Sequence, residues 1–174
     1  MKSIPEIKDG LDHAFNEVIR YVETQPDHLF EASEAEGKWS TGQQLEHLIK
    51  SVSPVILGLS GPAILLIIKF GKVKREEMSY NELLELYHQK LREGGKSTAP
   101  YLPDPVPLST KSEVLKTFDK KRKKLIKVID RWTEKEISTI AAKHPLLGVL
   151  SLREVLYFTE FHTMHHLESI KKIR

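Results

Sequence analysis

The sequence predicts an all-α fold: a four-helix bundle with a long crossover and a short helical insertion between the second and third long helices. Three observations carry this. Helix-start signals recur, apolar residues keep helical spacing over long segments, and few segments alternate with the period of a strand. Asn-Gly is absent, and the one Asp-Gly pair, Asp9-Gly10, falls inside the first helical segment. A chain of 174 residues can bury a substantial core, and a single domain spanning 1–174 is expected.

The first helix is expected over Ser3–Thr24. Pro5 sits in its first turn, and Ile4, Ile7, Leu11, Phe15, Val18, Ile19 and Val22 keep helical spacing. It is read without a capping box. Four later pairs do carry the box pattern: Ser40 with Gln43, Ser79 with Glu82, Thr110 with Glu113, and Ser151 with Glu154. In such a pair the hydroxyl accepts from the third residue's N–H while that residue's side chain reaches back. The second long helix is expected over Ser40–Lys69, kinked or restarted at Pro54 and Pro62. A shorter helix follows Ser79. Between Thr98 and Leu108, Pro100, Pro103, Pro105 and Pro107 give an extended surface crossover, long enough for the flanking helices to run parallel. The third and fourth long helices are expected over Thr110–Trp132 and Ser151–Ile173.

Composition narrows the function. The net charge, 27 − 24 = +3, is too small to imply nucleic acid, and Lys120–Lys124 reads as a solvated helix face with no interleaved aromatic residues. The absence of cysteine excludes thiol nucleophiles and Cys-ligated metal on this chain and fits a reducing compartment. No apolar leader opens the sequence, so a cytoplasmic location is expected. From Ser51 to Ile68 the chain has 18 uncharged residues, but Pro54, Gly58, Gly61 and Pro62 interrupt them. Burial in the bundle or in a dimer interface is expected, not a membrane span.

The histidines carry the chemistry. His162 and His166, at i and i+4, lie on one face of the last helix. At about 100° per residue, both fall within the apolar stripe of Leu152, Val155, Leu156, Thr159, Leu167, Ile170 and Ile173, while His165 falls outside it. Neutral imidazole is the commonest ligand for zinc and nickel, and three His with open positions make a catalytic layout. His47 is harder to place. It lies about 130° from the centre of the stripe formed by Leu45, Leu48, Ile49, Val52, Val55, Ile56 and Leu59, which reads as a flank or surface position. His13, His28, His88 and His144 read as surface or loop residues. Glu46 and Glu160 adjoin the candidate ligands in sequence but point elsewhere on the wheel.

Gly37-Lys38-Trp39-Ser40 followed by Leu45-Glu46-His47-Leu48 resembles the first motif of the DinB-like (YfiT-type) metal-dependent hydrolase superfamily. His144-Pro145-Leu146-Leu147-Gly148, then Leu150 to Glu154, then His162-x-x-x-His166-Leu167, resembles its C-terminal motif. The resemblance implies a bundle with a long crossover, often a homodimer. It also implies a divalent metal, zinc or nickel, on His47, His162 and His166. Members include S-transferases and an isomerase that use a low-molecular-weight thiol as cosubstrate. The expected function is therefore a metal-dependent hydrolase or thiol-dependent S-transferase acting on a small molecule. The catalytic side chains beyond the ligands stay open, because fold and metal do not select among these activities. The competing class is a non-catalytic helical interaction protein, which needs no metal. A nucleic-acid-associated protein ranks third.

Overall fold

The computed structural model describes residues 1–174. Four long helices form the bundle: α1 (Ile4–Thr24), α2 (Thr41–Ser60), α5 (Lys111–Ile129) and α7 (Leu152–Ile170). Between α2 and α5 lie α3 (Ala63–Phe70) and α4 (Tyr80–Arg92), and between α5 and α7 lies α6 (Glu134–Thr139). Both α1 and α2 pack against α5 and α7, so consecutive helices α1 and α2 stand on opposite corners. One continuous apolar cluster fills the middle, with Ile7, Leu11, Val18, Leu45, Leu125, Ile129 and Leu156 fully buried. Phe15 of α1 stacks on Phe118 of α5 at 4.6 Å between ring centroids.

The helix starts follow their capping residues. Ser40, Ser79 and Ser151 each accept from the third residue's N–H, and Gln43, Glu82 and Glu154 each answer. Thr110 does not: its hydroxyl donates to the Pro107 carbonyl, because a 3-10 turn at Leu108–Thr110 runs straight into α5. The first helix does have the pattern. Glu6 accepts from Ser3 N at 2.7 Å and from Ser3 Oγ at 2.6 Å.

The second helical run divides differently from the sequence expectation. Pro54 sits inside a continuous α2, whereas Gly61-Pro62 breaks the chain and turns α3 by 112°. Only Pro62 coincides with a preceding glycine and the end of a buried stripe. The carbonyls left without helical partners at the end of α2 are taken up from α5's trailing turn: Trp132 Nε1 donates to Leu59 at 3.0 Å and Arg131 to Ser60 at 2.7 Å.

Two small elements have no counterpart in the sequence expectation. Thr133 and Glu136 form a fifth box that starts α6. Strands β1 (Ala141–His144) and β2 (Gly148–Ser151) then pair as an antiparallel hairpin, in register from Ala141↔Ser151 to His144↔Gly148. Its loop, Pro145-Leu146-Leu147, is not a two-residue turn, and the left-handed position needed to close it falls on Gly148, φ 78°. The hairpin leads without a linker into α7, whose N-cap is Ser151. Its position is fixed by Glu154, fully buried, which takes both guanidinium nitrogens of Arg75 at 2.7 Å and Met78 N at 2.7 Å.

Candidate metal centre

His162 and His166 project from α7 one turn apart, and His47 projects from α2 across the bundle. All three are buried, with exposures of 8 %, 7 % and 4 %. His47 is therefore not a flank or surface residue. The wheel assumes one buried face, but α2 has two partners, α5 on its apolar stripe and α7 beside it. The crossover closes the remaining side, since the Tyr101 carbonyl accepts from His47 Nδ1 at 2.7 Å. The stretch read as a surface crossover thus forms one wall of the site, anchored by Lys50, which donates to Leu102 O at 2.8 Å and pairs with Asp104 at 2.9 Å.

The hydrogen bonds fix the ring orientations. A carbonyl only accepts, so His47 carries its proton on Nδ1 and presents a bare Nε2 inward. His166 does the same, with Nδ1 donating to the Gln44 side-chain oxygen. His47 Nε2 then lies 3.2 Å from His162 Nε2, and His166 Nε2 lies 3.0 Å from the same atom. His162 has at most one proton there and can satisfy only one of the two facing lone pairs. The Ser51 hydroxyl, 3.4 Å from His47 Nε2, is the other donor within reach; what the trio offers a cation is ring nitrogens converging from two helices. Ligand nitrogens at about 2.0–2.1 Å from a tetrahedral zinc lie roughly 3.3–3.4 Å apart. The observed spacings approach that value, and one ligand atom from each residue lies within 4.8 Å of the others. The donor set therefore fits a divalent cation, with Tyr101 and Gln44 as the outer partners that orient such ligands.

Burial pushes the imidazoles of His162 and His166 well below their ordinary pKa, with the neighbouring histidines adding to it, and burial also lowers His47. The cluster is thus neutral at pH 7, as metal ligation requires. Trp39 lies against His47 at 4.7 Å and is nearly parallel to His166 at 6.1 Å, walling the rings from solvent.

A cavity of about 370 Å³ opens from the three rings between α2, α3, α7 and the hairpin. His144, read as a loop residue, lines it. Its Nδ1 accepts from Leu146 N and Leu147 N, its ring packs on Phe158 at 4.4 Å, and burial pulls its pKa down to about 4. His165 is half-buried and also borders the cavity. His13, His28 and His88 are exposed. Glu46 pairs with Lys50 and Glu160 with Lys2, and neither reaches the cavity. Trp39, Gln44 and Tyr101 escaped the sequence reading as site residues. Trp39 stands within the first motif and Gln44 between its two parts, but a backbone carbonyl such as that of Tyr101 leaves no residue-type signal.

A closed bundle with three convergent imidazoles at the head of a cavity is the architecture of a metal-site helical protein. Its family is explicit: residues 3–170 match the model of the DinB superfamily, and the chain belongs to that superfamily. Two solved structures share the fold. TT2238, a four-helix bundle protein, is 16% identical with a TM-score of 0.60, covering 97% of this chain and 98% of its own. YfiT from Bacillus subtilis, described as a probable metal-dependent hydrolase with an unusual four-helix bundle topology, is 16% identical with a TM-score of 0.62. That match covers 98% of this chain and 85% of YfiT. Comparison with curated proteins finds no relative.

Proposed function

We propose that His47, His162 and His166 hold one divalent cation, zinc or nickel, in an enzyme that transfers a soluble thiol onto a small electrophile. The observation that carries the metal is the pair of outward-donating Nδ1 atoms, which leaves bare Nε2 atoms converging. When bound, the cation supplies Lewis acidity to a thiol or water in its open position. The chain's own residues do the rest. Gln44 and Tyr101 hold the ligand rings in register, Trp39 excludes water from one side, and the cavity holds the substrate.

Thiol transfer is favoured over hydrolysis by what the cavity lacks in side chains. No aspartate or glutamate lines it, so no carboxylate is placed to protonate a poor leaving group. A thiol loses its proton readily, to solvent, and its sulfur then forms the S–C bond as the leaving group departs from carbon. The chain has no cysteine, so the sulfur comes from a soluble thiol. Hydrolysis is the second reading, favoured by the description of YfiT. A cytoplasmic setting, where such thiols abound, belongs to the same proposal.

The test is consumption of an activated aryl chloride by zinc- or nickel-loaded protein with and without glutathione or cysteine. The expected result is chloride release that needs both metal and thiol and is abolished by His162→Ala. Thiol-independent cleavage of a nitrophenyl ester would put hydrolysis first. Absence of bound metal would favour a non-catalytic interaction protein.

A further inference from the structure

The cavity's composition says what kind of molecule fits it. Its walls are Val52 and Val55 of α2, Leu66 and Phe70 of α3, Leu146 of the hairpin and Phe158 of α7. A space of about 370 Å³ lies within the range of cavities that enclose small ligands. An apolar wall of this extent rewards an apolar body by removing its surface from water.

The charges are one-sided. The lining contains two lysines, Lys96 and Lys143, and no carboxylate. They come from two segments that meet: Lys96 from the loop after α4, Lys143 from β1. The loop's Gly95 packs so tightly on the hairpin tip that a Cβ there would stand 2.6 Å from Leu146 Cδ1. Both lysines are exposed at the rim, and neither has an acidic partner, unlike Lys50 and Lys90, which pair with Glu46 and Glu93. Two unpaired cations beside an apolar cavity without acids attract an anion and repel an amine.

We propose that the substrate is an apolar carboxylic acid or similar anion, its body along the apolar walls and its anionic end at Lys96 and Lys143. This rests on the proposed reading of the same site as a small-molecule enzyme. It assigns the two lysines, which are not among the ligands, to specificity.

The test is calorimetric titration of the full chain, with and without zinc, using decanoate, 1-decanol and decylamine. Decanoate is expected to bind zinc-free protein, with decylamine at least about tenfold weaker. The double variant Lys96→Glu/Lys143→Glu is expected to weaken decanoate about tenfold while binding zinc unchanged. Equal binding of the three probes would overturn the proposal. So would decanoate binding that requires zinc and ignores the double variant, because the carboxylate would then sit on the metal. Zinc binding, measured in the same samples, judges the metal reading separately.

Discussion

Gln44 carries more of the account than any residue outside the three histidines, because its side-chain oxygen fixes which nitrogen of His166 faces the site. Gln44→Leu keeps the volume and removes that acceptor. Zinc affinity, by competition with a chelator, is expected to fall about 10–100-fold; an unchanged affinity would show that His166 is oriented by packing alone. His165→Ala is expected to leave zinc affinity nearly unaltered, since that ring stands off the converging trio. Protonation gives a second expectation at this scale. In the unfolded chain histidines titrate near about 6.5, whereas burial lowers His47, His144, His162 and His166, with His144 reaching about 4. Between these values the unfolded chain binds more protons, so metal-free protein loses stability as pH falls from about 6.5 toward 4, and gains nothing above 6.5. The urea midpoint should be lower at pH 5 than at pH 7.5, and equal midpoints would contradict the burial of neutral imidazoles. The sequence made the α7 pair legible because i, i+4 spacing coincided with an apolar stripe. His47 was visible by resemblance alone, since its second buried face comes from α7 and Tyr101, contacts that no periodicity in α2 records.

Capping chemistry made the helix starts legible at the scale of elements, and the exceptions are physical. Thr110 lost its role to a preceding 3-10 turn, and Pro54 was absorbed into α2 while Gly61-Pro62 broke it. The hairpin was missed because four-residue strands show too little alternation and its turn is neither Asn-Gly nor Asp-Gly. Ser151 joins these elements. It ends β2, caps α7 by accepting from Glu154 N at 3.1 Å, and donates to Glu77 at 2.7 Å. Ser151→Ala is expected to cost about 1–2 kcal/mol in urea unfolding. A loss below about 0.3 kcal/mol would mean that the Arg75–Glu154 pair alone holds this helix start.

For the whole molecule, the apolar run expected in the bundle or in a dimer interface is only partly buried within one chain. Val52, Ile56, Leu59 and Leu66 are in the core, but Leu57, Ile64, Leu65 and Ile68 are 75%, 56%, 58% and 75% exposed. No single helix is long and apolar enough to cross a membrane. We propose that a second copy of the chain covers this face. Leu57→Asp with Ile68→Asp should shift the protein to monomers in sedimentation while metal binding persists; a wild-type protein that stays monomeric at high concentration would refute the pairing. The bundle and the cavity frame one claim, that three imidazoles from two helices hold a metal. Elemental analysis with X-ray absorption on untagged protein tests it most directly. About one zinc or nickel per chain is predicted, with nitrogen ligands at about 2.0–2.1 Å, lost in each of His47→Ala, His162→Ala and His166→Ala. Protein that takes up no metal, or keeps it in all three variants, would contradict the claim.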